Sequence, residues 1–134
     1  MSDMLSRVAG APITWGADAS AGWGYLMDPA RVMSEMREAG LSATELGPDG
    51  FLPSDPQELK DFVAGYGMSM VGGFVPAILY QDKDMDADVQ YFERASDQLA
   101  EAGASNVVLG PRSHYDGYDT EIDMDDDQWE VFLR

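Results

Sequence analysis

The segment Arg37-Glu38-Ala39-Gly40-Leu41-Ser42-Ala43-Thr44-Glu45-Leu46-Gly47-Pro48 reads as a helix end, a glycine stop, a short strand and a Gly-Pro loop. It returns as Ala100-Glu101-Ala102-Gly103-Ala104-Ser105-Asn106-Val107-Val108-Leu109-Gly110-Pro111, with the same Ala-Gly, the same six-residue insert and the same Gly-Pro. A weaker copy runs from Ala64-Gly65-Tyr66-Gly67 to Phe74-Val75-Pro76. A chain that cycles through helix, glycine, strand and loop is an α/β repeat, and such alternation specifies a parallel sheet covered by helices. Every strand runs into Gly or Pro, so every following loop leaves the sheet at one end. In parallel α/β folds that end carries the ligands.

Taken in order, Val8 to Trp15 is expected to hold the first strand, centred on Ala11-Pro12-Ile13-Thr14-Trp15 with Pro12 at its beginning. Asp28-Pro29 opens a helix with Val32, Met33, Met36 and Ala39 on its apolar face. Ala43 to Leu46 is the second strand. Asp55-Pro56-Gln57-Glu58 repeats the helix opening with a capping-box pattern, and Leu59, Phe62, Val63 and Tyr66 follow at helical spacing. Met68 to Val75 is the third strand, with a bulge or close backbone approach expected at Gly72-Gly73. Pro76 to Lys83 is read as a loop. A helix from about Asp84 to Ala102 presents Met85, Val89, Phe92, Leu99 and Ala102, and its early aspartates suit the positive helix end. Asn106 to Leu109 is the fourth strand, and Gly110 to Ile122 a long loop. The acidic stretch from Asp123 is read as a helix start, because Trp129, Phe132 and Leu133 stand at i, i+3 and i+4. On this reading the 134 residues form one domain that stops in mid-architecture.

Composition narrows the function classes. There is no cysteine, which removes disulfides and thiolate metal sites. No apolar run is long enough for a membrane span and the first residues lack the pattern of a signal peptide, so a cytoplasmic protein is expected. The net charge is −17, with Lys60 and Lys83 the only lysines. That field repels phosphate backbones and argues against a nucleic-acid partner; its plain explanation is a hydrated surface. The chain has no Walker loop, no Gly-x-Gly-x-x-Gly, no Gly-x-Ser-x-Gly elbow and no Asp-x-Asp-x-Asp-Gly calcium loop.

Three residues carry candidate chemistry. Glu45 is a carboxylate near a strand end among small and apolar neighbours; it serves either as a binding residue or as an acid paired with a basic side chain. Trp15, at the end of the expected first strand, offers an aromatic face for a sugar or cyclitol ring, or else fills the core. His114 is the only histidine, beside Arg112 and Tyr115, and is either a proton shuttle or an ordinary loop residue.

Ala11-Pro12-Ile13-Thr14-Trp15-Gly16, Ala39-Gly40 through Thr44-Glu45-Leu46-Gly47-Pro48, and Val71-Gly72-Gly73-Phe74 together resemble the sugar phosphate isomerase/epimerase family of xylose-isomerase-like TIM barrels, in particular its inosose dehydratase branch. The resemblance implies a (β/α)₈ barrel, of which this chain supplies about the first four βα units; such barrels run to about 250 residues. It implies a divalent ion, Mn²⁺, Co²⁺ or Mg²⁺, with ligands beyond Arg134, and a small polyhydroxylated carbonyl substrate that is dehydrated, isomerised or epimerised. Trp15, Glu45, Phe74 and His114 would then line the substrate pocket. The alternative is a non-catalytic half-barrel whose open sheet edges are covered by a second copy or another partner. Abasic-site nucleases share the barrel but are disfavoured by the charge.

Overall fold

The computed structural model describes residues 4, 7–16, 26–112 and 122–134, and for 82–84 the backbone alone. A 3₁₀ turn at Pro12–Trp15 precedes α1 (Pro29–Glu38), β1 (Ala43–Glu45), α2 (Pro56–Gly65), β2 (Ser69–Ala77), α3 (Asp82–Glu101), β3 (Asn106–Pro111) and α4 (Asp126–Phe132). The strands form one sheet in the order β1-β2-β3, and both pairings are parallel. The chain is therefore α/β, with spatial order following sequence order.

The repeated Ala-Gly has one structural meaning. Leu41 N donates to Met36 O at 3.1 Å, Met68 N to Val63 O at 3.2 Å and Ala104 N to Leu99 O at 2.9 Å. Gly40 N, Gly67 N and Gly103 N close the inner bond onto Arg37 O, Ala64 O and Ala100 O. All three helices thus end in the same Schellman turn, with glycine in the left-handed position and an apolar pair sealing it. The helix starts also match. Asp28 accepts from Ala30 N and Arg31 N, Asp55 accepts from Gln57 N and Glu58 N, and proline opens both helices. The full reciprocal capping box occurs at α4, between Asp125 and Gln128.

The expected strand at Ala11–Trp15 is corrected. Pairing occurs earlier, where Gly10 alone bridges Thr44 in parallel. Gly10 N donates to Ala43 O and Glu45 N to Gly10 O, each at 2.9 Å. From Pro12 the backbone coils, and Gly16 at φ 75° ends the turn. Proline has no N–H to give a ladder, and its fixed φ suits a first helical turn. Among the described residues the sheet therefore has three strands, not four, plus one bridging residue. β2 and β3 run two residues further than expected, to Ala77 and Pro111. Pro76 fits within β2 because β1 has already ended, its last residue opposite Gly72.

Helix α3 also differs from its expected face. Val89 is half-exposed, and the buried row runs through Ala95, Leu99 and Ala102, with Phe92 partly buried before it. One turn back, that row contains Asp88, whose Oδ2 accepts from Ile78 N at 2.5 Å. A polar anchor for the β2–α3 connection thus occupies the place expected for an apolar side chain.

The core is one cluster. Val32, Met33 and Met36 of α1, Leu59 and Val63 of α2, and Leu99 of α3 meet Met70 of β2, with Phe51 and Leu52 closing the side. All three helices therefore pack on one face of the sheet. Burying each of these large side chains contributes about 1.5–3 kcal/mol before the entropy cost of ordering them.

Candidate functional site

Strand alternation assigns the second face. Thr44 is fully buried on the helix side, in register with Met70. A Cβ on Gly73 would meet Leu46 at 3.1 Å and Leu99 at 3.2 Å, so Gly73 and Leu46 also face the helices. Glu45, between Thr44 and Leu46, points the other way, and so does Phe74. Phe74 is paired with Val108, and the two are 55% and 50% exposed. Parallel sheets normally bury both faces, so exposed large apolar residues at mid-sheet mark this face as a surface with a use.

Glu45 stands at an irregularity. The register passes from Thr44↔Met70 to Glu45↔Gly72, so β2 carries one extra residue, Val71, against that step. The Thr44 hydroxyl donates to Glu45 O at 2.9 Å and Leu46 N donates to Gly72 O at 2.9 Å, which fixes the bulge. Of the bulge or close backbone approach expected at Gly72-Gly73, the bulge lies one residue earlier, at Val71, and the close approach is at Gly72, where a Cβ would lie 2.7 Å from Asn106 O; bulges of this kind re-aim a side chain. The Glu45 side chain is partly buried, and among the described residues its carboxylate has no hydrogen-bond or ion-pair partner. An acid held on a half-apolar face without a partner is available to a ligand.

The other candidates lie elsewhere. Trp15 sits in the 3₁₀ turn, packs against the helix-side core, and donates from Nε1 to Glu35 Oε2 at 3.0 Å. Its polar handle is taken by α1, and it does not share the face of Glu45 and Phe74. Glu35 also accepts from Arg31 Nε at 2.7 Å. That bond holds the Glu35 carboxyl below its ordinary value, against a smaller opposing effect of burial. His114, with Tyr115, Tyr118, Trp23 and Tyr25, lies outside the described residues.

Sequence reasoning missed two residues beside the strand ends. The sequence presents Asp88 only as one of the early aspartates that suit the helix start, not as the acceptor for Ile78 N. Tyr91, on α3, has its phenol pushed up by burial and by the Asp49 charge, while Arg112 and Arg94 oppose that shift. Asp49 follows β1 and Arg112 follows β3, so Tyr91 stands near the loops that leave the sheet at its C-terminal end. A shallow depression of about 590 Å³ lined by Ser34, Arg37, Glu38 and Ala64–Gly67 lies at the opposite end, where helices hand over to strands. Among the described residues no group of three or more His, Cys, Asp or Glu side chains could hold a metal ion. Those residues do not by themselves make a site for the implied divalent ion. No helix among them is long and apolar enough to cross a membrane.

No family model matches the chain. It is 31% identical over 137 residues to the rhizopine catabolism protein MocC of Rhizobium meliloti, an alignment that takes in 98% of this chain and 41% of that protein. It is 28% identical over 114 residues to inosose dehydratase of Geobacillus kaustophilus strain HTA426, covering 82% of this chain and 36% of that one. The chain thus spans about two-fifths of the length of the curated relatives it matches. By sequence it is a relative of the inosose dehydratase-like sugar isomerase/epimerase proteins, over most of its own length and a minor part of theirs.

Proposed function

We propose that the chain is part of a (β/α)₈ barrel enzyme that removes a proton next to the carbonyl of a polyhydroxylated compound, as inosose dehydration requires. Glu45 and Phe74 would form one wall of its pocket. The observation that carries this reading is the Glu45 carboxylate at a bulge, which has no partner among the described residues, on the sheet face that also holds Phe74 and lies opposite α1, α2 and α3. Parallel strands in sequence order with helices on one face support the barrel, in which the opposite face turns inward. The relationship to an inosose dehydratase supports the substrate class.

On this reading Glu45 accepts hydrogen bonds from substrate hydroxyls, and the Phe74 ring meets the carbon–hydrogen face of the substrate. Mn²⁺, Co²⁺ or Mg²⁺ belongs to the reading only with ligands from outside the described residues. Trp15, bonded to Glu35 on the helix side, takes no part in this wall. The test is turnover of inosose by the intact protein with these ions supplied. Glu45→Gln should lower kcat/KM by about tenfold to a hundredfold, the loss of one or two hydrogen bonds to a charged group. Absence of turnover of inosose and of ketoses by the wild-type protein would overturn the proposal.

A second reading, a non-catalytic subunit whose open face is covered by another copy, draws on the exposed Phe74 and Val108. Sedimentation separates the two: a dimer that Phe74→Asp dissociates, with no turnover in either state, favours the second.

A further inference from the structure

Gly47-Pro48 and Gly110-Pro111 look alike in sequence, yet their glycines do different work. Gly47 has φ +76°, a backbone that L-residues rarely adopt. Gly110 has no positive φ and lies inside β3, where the backbone accepts any residue. Glycine within a strand is also unfavourable by roughly 0.5–1 kcal/mol relative to alanine. Something other than backbone geometry therefore keeps a side chain away from position 110.

That something is the Phe74 ring. Phe74 is in register with Val108, and Pro76 with Gly110, so Gly110 is the diagonal neighbour that an aromatic side chain on β2 can reach. A Cβ built on Gly110 would fall on Cζ and Cε2 of Phe74 and lie 3.1 Å from Cε1. Gly110 is itself buried beneath a residue that is 55% exposed. One side of the ring therefore rests on bare backbone while the rest stays open to solvent.

We infer that Gly110 is a positioning residue for Phe74: its missing side chain lets the ring lean along the sheet toward the strand ends, and this sets where a ring-shaped ligand with a carbon–hydrogen face can stack. The inference rests on the proposed pocket wall for its ligand, but not for its geometry. With any side chain at 110 the ring must take another rotamer, and the platform moves.

The experiment uses the intact protein labelled with ¹³C-phenylalanine, compared with Gly110→Ala, Phe74→Leu and the double variant. In Gly110→Ala the Phe74 ring signals should shift while those of Phe51 and Phe62 stay in place. Inosose titrated into the samples should bind about three- to tenfold more weakly to Gly110→Ala than to wild type, the range of one aromatic contact. In a Phe74→Leu background, adding Gly110→Ala should change affinity less than twofold, because the ring it displaces is gone. Unmoved Phe74 signals in a folded Gly110→Ala protein would overturn the inference. So would an equal loss of affinity in both backgrounds. Shifted signals with no inosose binding by any form, wild type included, would uphold the positioning role and sink the proposed substrate instead. Should Gly110→Ala not fold, its recovery in the double variant upholds the clash and failure of both overturns it.

Discussion

Three helices end in the same Schellman turn, but only one of the three glycines carries a load from outside it. Gly40, Gly67 and Gly103 have φ of +86°, +67° and +94°. Alanine at such a backbone costs about 1–2 kcal/mol, and its smaller freedom in the unfolded chain returns part of that. A Cβ on Gly40 or Gly103 meets nothing within 4 Å, so each Gly→Ala there should destabilise by about 1 kcal/mol. At Gly67 the Cβ would fall on Nη1 of Arg37, the atom that donates to Tyr66 O at 2.7 Å. The guanidinium must leave, and α2 loses a cation bound to its last carbonyls. An exposed charged hydrogen bond at a helix end adds about 1 kcal/mol, so Gly67→Ala should cost about 2 kcal/mol. Urea unfolding of the three variants measures the differences as shifts in midpoint at constant slope. In an Arg37→Ala background the Gly67→Ala cost should fall to that of Gly103→Ala, leaving a coupling of about 1 kcal/mol. Equal costs at Gly67 and Gly103, or a Gly67 cost that Arg37→Ala leaves unchanged, would refute the reasoning.

Other outcomes follow from single contacts. Glu35 is held below its ordinary value chiefly by Arg31, so its stabilising effect is complete above the usual glutamate range near about pH 4.3 and is lost as pH falls through the lowered folded value. The Trp15 indole N–H resonance should follow that titration, and should lose it in Glu35→Gln. Tyr91 should ionise above the ordinary phenol range, and Asp49→Asn should bring it down, as read from phenolate absorbance against pH. Leu99 is 1% exposed at the meeting of α3 with the sheet, so Leu99→Ala should cost about 3 kcal/mol in the same urea assay.

The elements that were legible in the sequence are those with local causes. Asp28-Pro29 and Asp55-Pro56 announce helices because cap and proline act within four residues, and the Ala-Gly repeat announces their ends for the same reason. The misread elements have causes at a distance. Proline suits the first residue of a strand and of a helical turn alike, and only the pairing of Gly10 with Thr44, more than thirty positions away, shows that the strand contact comes before Pro12. Val89 fits an apolar face as well as Asp88 does until Ile78 N is seen to need an acceptor. The candidate site divided in the same way. Glu45 was visible as an acid among apolar neighbours at a strand end. The separation of Trp15 from it was not, because Trp15 takes its place through Glu35, twenty positions along the chain.

The outer edge of β3 has no strand beside it among the described residues, and apolar Val108 of that strand is half-exposed. Such an edge invites pairing between molecules. Seventeen excess negative charges oppose that encounter at long range, and ions screen them within about 10 Å at 0.1 M salt. Wherever that edge is left unpaired, the acidity acts as a colloidal device: ionic strength, rather than any single residue, then sets how long two copies of this surface stay apart.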